Sequence, residues 1–145
     1  MAITSTTPSL RARREAVVRA HIDAEAVTHD VAAAVATFRY PRYEVPAMGA
    51  VADGSEAVQG LLTQLLGAFP DFWLHQLALY HSKDAVIAEV RFGGTHLGPW
   101  AGIAPTGNRM EVQSALIFLF DGDSLVCEKV YFDHATVLRQ LGALS

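Results

Sequence analysis

Asp133 stands at a seam in the stretch YFDHATVLRQLG. A β-branched and aromatic run that reads as a strand ends there, and a helical pattern begins that stops at Gly142. A carboxylate in that position has two possible uses. It can cap the helix by accepting backbone N–H bonds from the first turn. Alternatively, at the end of a cavity-facing strand beside Tyr131 and near Trp73 or Trp100, it loses solvation and its pKa rises. It then becomes a base suited to an acidic carbon flanked by carbonyls. His96, ahead of Gly98-Pro99, is of a type that polarises a carbonyl or enolate oxygen or shuttles a proton; it can equally satisfy loop backbone groups. Around these two, Tyr43, Phe69, Trp73, Trp100, Met110 and Tyr131 are the candidate substrate-binding side chains, although aromatic residues in such places are also ordinary packing.

Other chemistries find little footing. The phosphate-cradling glycine patterns and the Gly-x-Ser-x-Gly nucleophile elbow are absent. His75 and His81 share strand parity but lie too far apart on one strand to chelate a metal alone, so no metal site and no cofactor are expected. Cys127, among Leu125, Val126 and Val130, reads as a buried core thiol. His29-Asp30 resembles a catalytic pair but reads better as a helix start. Glu111 and Gln113 share the face of a long strand opposite Met110, Val112 and Leu116, and are expected to meet solvent or a subunit partner.

The elements that must position these residues fall in two blocks. A first helix is expected from Pro8-Ser9 to about Val27, its regular part beginning nearer Arg13 because early arginines oppose the helix dipole. Its apolar stripe reads as Leu10, Val17, Ala20, Ala24 and Val27. A short second helix follows, with Thr28 as N-cap. The segments RYPRYEVP and MGAVA read as short edge strands, and SEAVQGLLTQLLGAF as an amphipathic helix ending at Gly67. From Pro70 onward four strand-like segments are separated by turn residues, and the last two flank Asp-Gly-Asp, a hairpin signal. Helices, then a mostly antiparallel sheet, then a final helix give an α+β chain. If the sheet curves, helices over one face leave a cone-shaped barrel whose mouth admits a ligand. One domain over residues 1–145 is expected, with 1–9 as a flexible tail.

Composition narrows the partners. The 145 residues are 51% hydrophobic with a net charge of −4, so basic nucleic-acid-binding surfaces are not expected. No apolar run is long enough to span a bilayer, so no membrane partner is expected. The surplus of apolar residues must fill a core, an interface or a cavity. The strands from Glu89 to Phe120 read as apolar on both parities, which predicts a homodimer through the outer sheet face. A single cysteine excludes an internal disulfide and favours a reducing, cytoplasmic setting.

The segments AFPDFW, GTHLGPWAGIAPTGNRM, FDGDSLVCEKVYFDHATVLRQLG and DGSEAVQGLL together resemble the SnoaL-like polyketide cyclase family, also called ester cyclases. That family lies in the superfamily of cone-shaped barrels that includes ketosteroid isomerase and nuclear transport factor 2. The resemblance runs from about Gly54 to Gly142. It implies ring closure on a polyketide-like or other carbonyl-bearing apolar molecule by intramolecular aldol chemistry, without a cofactor. It also implies that Asp133 is the acid/base. The chain departs from the family where Val130 and Tyr131 replace a tryptophan of the final strand, and where Asn108 separates Pro-Thr-Gly from Arg109. The alternative is a non-catalytic small-molecule-binding or assembly module on the same scaffold.

Overall fold

The computed structural model describes residues 6–144; the first five residues of the expected flexible tail lie outside the described residues. Helix α1 (Leu10–Ala26) starts at the Ser9 cap, whose hydroxyl accepts the Ala12 N–H at 3.1 Å. It therefore begins ahead of Arg13, contrary to the dipole argument, because its arginines have partners elsewhere. Arg14 is buried and donates to the carbonyls of Gly122 (2.7 Å) and Lys83 (2.9 Å), and Arg13 pairs with Asp123 at 3.2 Å. Helix α2 (Val31–Ala36) is capped by Asp30, which accepts the Ala33 N–H at 3.0 Å. Thr28, the expected cap, instead closes the end of α1 through the carbonyls of Asp23 and Ala24. His29 sits between the two helices at φ 53° and donates through Nε2 to the Phe72 carbonyl at 2.8 Å.

Strand β1 (Arg42–Val45) turns through a 3-10 segment at Pro46–Met48 into β2 (Ala50–Asp53), and helix α3 (Ser55–Ala68) follows. Then come β3 (Trp73–His81), β4 (Ala85–Thr95), β5 (Arg109–Asp121) and β6 (Ser124–Phe132), and helix α4 (His134–Gln140) closes the chain. The fold is α+β with a six-stranded curved sheet in the order β2-β1-β6-β5-β4-β3. All neighbours are antiparallel except β1 and β6, which run parallel with Tyr43 opposite Glu128. Among the described residues, only β2 and β3 are edges. The expectation that β1 is an edge strand fails because Pro41 and Pro46 lie just outside the four residues that pair.

Two bulges decide which side chains face the helices. On β3 the register slips between Gln76 and Ala78, leaving Leu77 unpaired and exposed. His75 and His81 consequently stand on opposite faces: His75 lies opposite Arg91, and His81 turns inward to meet Glu15 of α1 at 2.7 Å. On β6 the pairs Phe120–Leu125 and Leu119–Cys127 leave Val126 as the extra residue. Beyond it the inward positions are Glu128, Val130 and Phe132, opposite the inward Phe118, Leu116 and Ser114. One inserted residue thus turns a glutamate inward and Tyr131 outward.

The core joins Val18 and Ile22 of α1, Leu62 of α3 and Phe118 of β5. The loop after β4 is seated on the end of α3, where the N–H groups of Leu97 and Gly98 both donate to the Ala68 carbonyl. Gly98 is needed there because a Cβ would strike the Gly67 carbonyl oxygen. The outer face of the sheet is less apolar than expected. Glu89, Arg91, Glu111 and Gln113 are exposed on it, with Arg91 and Glu111 paired at 3.5 Å; Ala115, Ile117 and Leu119, with Ile87 of β4 and Tyr131 of β6 beside them, form an apolar strip.

Candidate active site

Beneath the helices the sheet encloses a cavity of about 80 Å³. Its walls are apolar and include Phe69, Phe72, Phe92, Trp100 and Phe132, together with Leu61, Leu65 and Met110. Of the expected substrate-binding residues, Tyr43, Phe69, Trp100 and Met110 line it. Trp73 and Tyr131 do not. Trp73 lies opposite Gly93 on the outer face, tilted against His75 with ring centroids 4.7 Å apart. Tyr131 is 43% exposed, on the side to which the β6 bulge turns it.

Neither expected catalytic residue reaches the cavity wall. Asp133 is exposed and caps α4: it accepts the Thr136 hydroxyl at 2.7 Å and the Thr136 N–H at 3.3 Å. These hydrogen bonds, the hydroxyl's first, hold its carboxyl below the usual carboxylate range, the reverse of what a desolvated base requires. Asp133→Asn is therefore expected to leave both stability and activity near wild type, because asparagine caps as well as aspartate. Asp133→Ala should cost about 0.5–2 kcal/mol of stability, and denaturant melts of the two variants check this.

His96 is fully buried behind Phe69, with ring centroids 5.6 Å apart. Its Nδ1 accepts the Thr106 N–H (3.2 Å) and lies 3.0 Å from the Thr106 hydroxyl, so its proton resides on Nε2, which has no partner. That arrangement pins the loop from His96 to Asn108. The histidine thus satisfies loop backbone groups. Cys127 keeps its expected character: burial first, and then Glu44, push its thiol up to about 11, so it is an unreactive core thiol at neutral pH.

What the cavity does contain is a polar cluster that strand and helix patterns alone did not reveal. His21 and Glu25 are one turn apart on α1; Tyr43 comes from β1 and Glu128 from the neighbouring β6. Glu25, Tyr43 and Glu128 all line the cavity, and His21 lies behind them with no exposure. The protons can be traced. Thr37 donates its hydroxyl to the Ala34 carbonyl (2.6 Å), so it must accept from His21 Nδ1 at 2.8 Å. Tyr43 donates to Glu25 Oε2 (3.1 Å), so it accepts from His21 Nε2 at 2.6 Å. Both ring nitrogens therefore carry protons, and His21 is an imidazolium.

Its charge is balanced by Glu25 Oε2 at 3.1 Å and Glu128 Oε1 at 3.0 Å. Burial opposes the charge, but the Glu128 carboxylate, followed by Glu25, overcomes it and raises the His21 pKa from 6.5 to about 10. Burial also raises Glu128, against the pull of His21, and raises the Tyr43 hydroxyl. Glu128 Oε1 lies beside the imidazolium but receives no aligned hydrogen bond, because the Nε2–H is directed at Tyr43.

The stability consequence has a definite sign. Between about pH 6.5 and pH 10 the native state holds a proton on His21 that the unfolded chain releases. The contribution of His21 is therefore complete below about pH 6.5 and lost as pH rises toward 10; the raised Glu128 pKa acts in the same direction. Stability from chemical melts should decline across this window, with a shallower decline in His21→Gln.

His21, Glu25 and Glu128 also bring three potential metal donors within 4.8 Å of one another. The in-plane direction of Nε2, where a metal would bind, is taken by the Tyr43 hydroxyl at 2.6 Å. The geometry is that of a proton-holding ion cluster rather than a preformed ligand set.

A curved sheet closed by helices around an apolar cavity is the fold of proteins described as ketosteroid isomerase-like and nuclear transport factor 2-like. The chain belongs to the SnoaL-like polyketide cyclase family, whose pattern matches residues 15–141 and so reaches into α1, beyond the region of sequence resemblance. No curated protein is significantly similar to it in sequence. Solved structures are similar over most of the chain. TsrD from Streptomyces laurentii is 26% identical with a TM-score of 0.79, covering 92% of this chain and 98% of its own. A SnoaL-like protein from Jannaschia sp. CCS1 is 16% identical with a TM-score of 0.81, covering 98% and 100%. A protein of ketosteroid isomerase-like fold from Catenulispora acidiphila, solved in complex with trimethylamine, is 23% identical with a TM-score of 0.75, covering 97% and 96%.

Proposed function

We propose that this protein is a cyclase or isomerase that moves a proton on a small, carbonyl-bearing apolar molecule held in the cavity, using side chains alone. The observation that carries the reading is the buried His21–Tyr43–Glu25–Glu128 cluster opening onto an otherwise apolar cavity. Family membership supports the reaction class. Asp133, the base that the sequence resemblance nominates, stays outside this reading as a helix cap.

The geometry suggests a division of labour. An incoming carbonyl oxygen takes over the Tyr43 O–H that otherwise serves Glu25, which frees the Glu25 carboxylate. Glu25 then removes the proton from the carbon next to the carbonyl, and the C–H electron pair moves toward oxygen to form an enolate. Tyr43, backed by the His21 imidazolium, stabilises the new charge on that oxygen. Returning the proton to another carbon isomerises the molecule. If the enolate carbon instead attacks a second carbonyl of the same molecule, a C–C bond closes a ring and the new alkoxide takes the proton. Tyr43, Phe69, Trp100 and Met110 would hold the apolar body. At about 80 Å³ the cavity suits a single ring; a polycyclic ligand, or a typical pocket of about 300 Å³ or more, would require the helices to move apart.

The test is α-proton exchange in deuterated buffer, followed by NMR, with cyclopentanone and cyclohex-2-enone as generic substrates. Acceleration of about 100-fold or more over buffer is expected. Binding without any acceleration would favour the second reading, a non-catalytic binding module. The outer strip of Ala115, Ile117 and Leu119 completes the picture as the proposed homodimer contact, and light scattering at micromolar concentration should give twice the chain mass.

A further inference from the structure

The pole of the cavity is unevenly charged. Among the described residues its wall contains two carboxylates, Glu25 and Glu128, and neither lysine nor arginine. The one positive charge in reach, the His21 imidazolium behind the wall, is shared between both carboxylates at 3.1 and 3.0 Å. Glu128 lines the cavity but is only 2% exposed, and its one cationic neighbour, His21 Nε2 at 3.0 Å, is shared with Glu25 and Tyr43. A buried carboxylate that shares its counter-ion is under-compensated, so a ligand that supplies a further charged donor gains more than an ordinary contact.

The rest of the wall is aromatic. Phe72 and Phe92 have centroids 5.7 Å apart, Phe92 and Phe132 also 5.7 Å, and Phe69 and Trp100 5.8 Å. Aromatic faces attract cations and repel anions. An apolar molecule with a single positive, hydrogen-donating end satisfies both features at once. A carboxylate ligand would meet two like charges, and a neutral one would leave the pole's charge uncompensated.

We propose that the ligand of this cavity is an apolar amine: one ring or a short branched chain carrying a protonated nitrogen, which donates to Glu128 and leaves Glu25 free as the base. Taken with the function proposed above, on which this extension to catalysis rests, the substrate class becomes small amino-carbonyl compounds. Binding of the amine itself does not depend on turnover.

The probes are cyclohexylamine and cyclohexanol, matched in size and shape, titrated into the full chain at pH 7 by calorimetry. The amine is as fully protonated there as a lysine side chain. A charge-assisted hydrogen bond to a buried carboxylate predicts that the amine binds about tenfold or more tightly than the alcohol. Glu128→Gln should erase most of that preference while leaving the alcohol's affinity within about twofold. If Glu128→Gln does not fold, the wild-type pair is decisive without it. Equal affinities, or a tighter alcohol, would overturn the amine assignment while leaving the enzymatic reading intact. If neither probe binds, both the assignment and the cavity's role as a small-molecule site fall together.

Discussion

Glu25→Gln is expected to lower the rate of α-proton exchange by about 10²–10⁴ while leaving the fold in place. General-base catalysis by a positioned carboxylate contributes about that much. Glutamine matches glutamate in shape and still accepts the Tyr43 hydrogen bond, so the cavity should keep its form. Glu25 is also the least buried member of the cluster, with 11% of its side chain exposed, and its loss leaves the His21–Glu128 pair intact. The fall should appear in kcat rather than in KM, because the lost step is made only in the transition state. Tyr43→Phe should produce a smaller loss, since it removes the donor to the enolate oxygen but leaves the base. If Glu25→Gln retained full exchange activity, the base would have to be sought elsewhere on the wall, and Glu128 would be the next residue to test.

The second large effect falls on stability. Glu128→Ala is expected to destabilise the fold by about 3–5 kcal/mol, the usual result of removing one partner from a buried ion pair. Glu128 is nearly inaccessible, and its loss leaves the His21 imidazolium inside the core with Glu25 as its only carboxylate. His21→Ala should cost a comparable amount by exposing two buried carboxylates to each other. The simultaneous change of both residues to leucine should recover much of the loss, because replacing a buried pair by apolar groups is often neutral or better. Denaturant melts of the double and of the two single leucine variants separate these terms. Additive losses in the double would mean that the two side chains do not interact as their 3.0 Å separation requires.

Much of the architecture was readable because local chemistry and tertiary structure agree. The Asp121-Gly122-Asp123 turn does join β5 and β6, and Asp30 and Asp133 do open helices. The shift from helices to strands after Pro70 marks the start of the main sheet. Part of the cavity was readable too, since Tyr43 and Met110 are large side chains at inward strand positions and Phe69 and Trp100 are aromatic residues in the segments that follow α3 and β4.

The cluster was not readable, for two reasons. Starting from Leu125, strict alternation along β6 puts Cys127, Lys129 and Tyr131 inside. The extra residue at Val126 reverses that, and nothing in SLVCEKVYF announces a bulge. On α1 the expected apolar stripe holds Ala24 correctly but takes Val17 and Ala20 in place of their buried neighbours Val18 and His21. The buried positions are Arg14, Val18, His21, Ile22 and Ala24, so two of the five are polar, and a pattern search for apolar spacing passes over them. The signal that would have helped is the pair His21 and Glu25, one helical turn apart within a stripe that also holds Val18 and Ile22. Asp133 is ambiguous for the opposite reason: a cap and an acid/base call for the same residue at the same place, and the Thr136 hydrogen bonds show the cap.

The central claim is that the working pole of this cavity is a proton-holding cluster built on a buried imidazolium. Nitrogen-15 NMR of the His21 ring at pH 8 tests it most directly, because an unperturbed histidine is neutral there and His21 is raised to about 10. The account predicts protons on both ring nitrogens, one bonded to Thr37 and one to Tyr43. A neutral ring with one unprotonated nitrogen at pH 8 would contradict it.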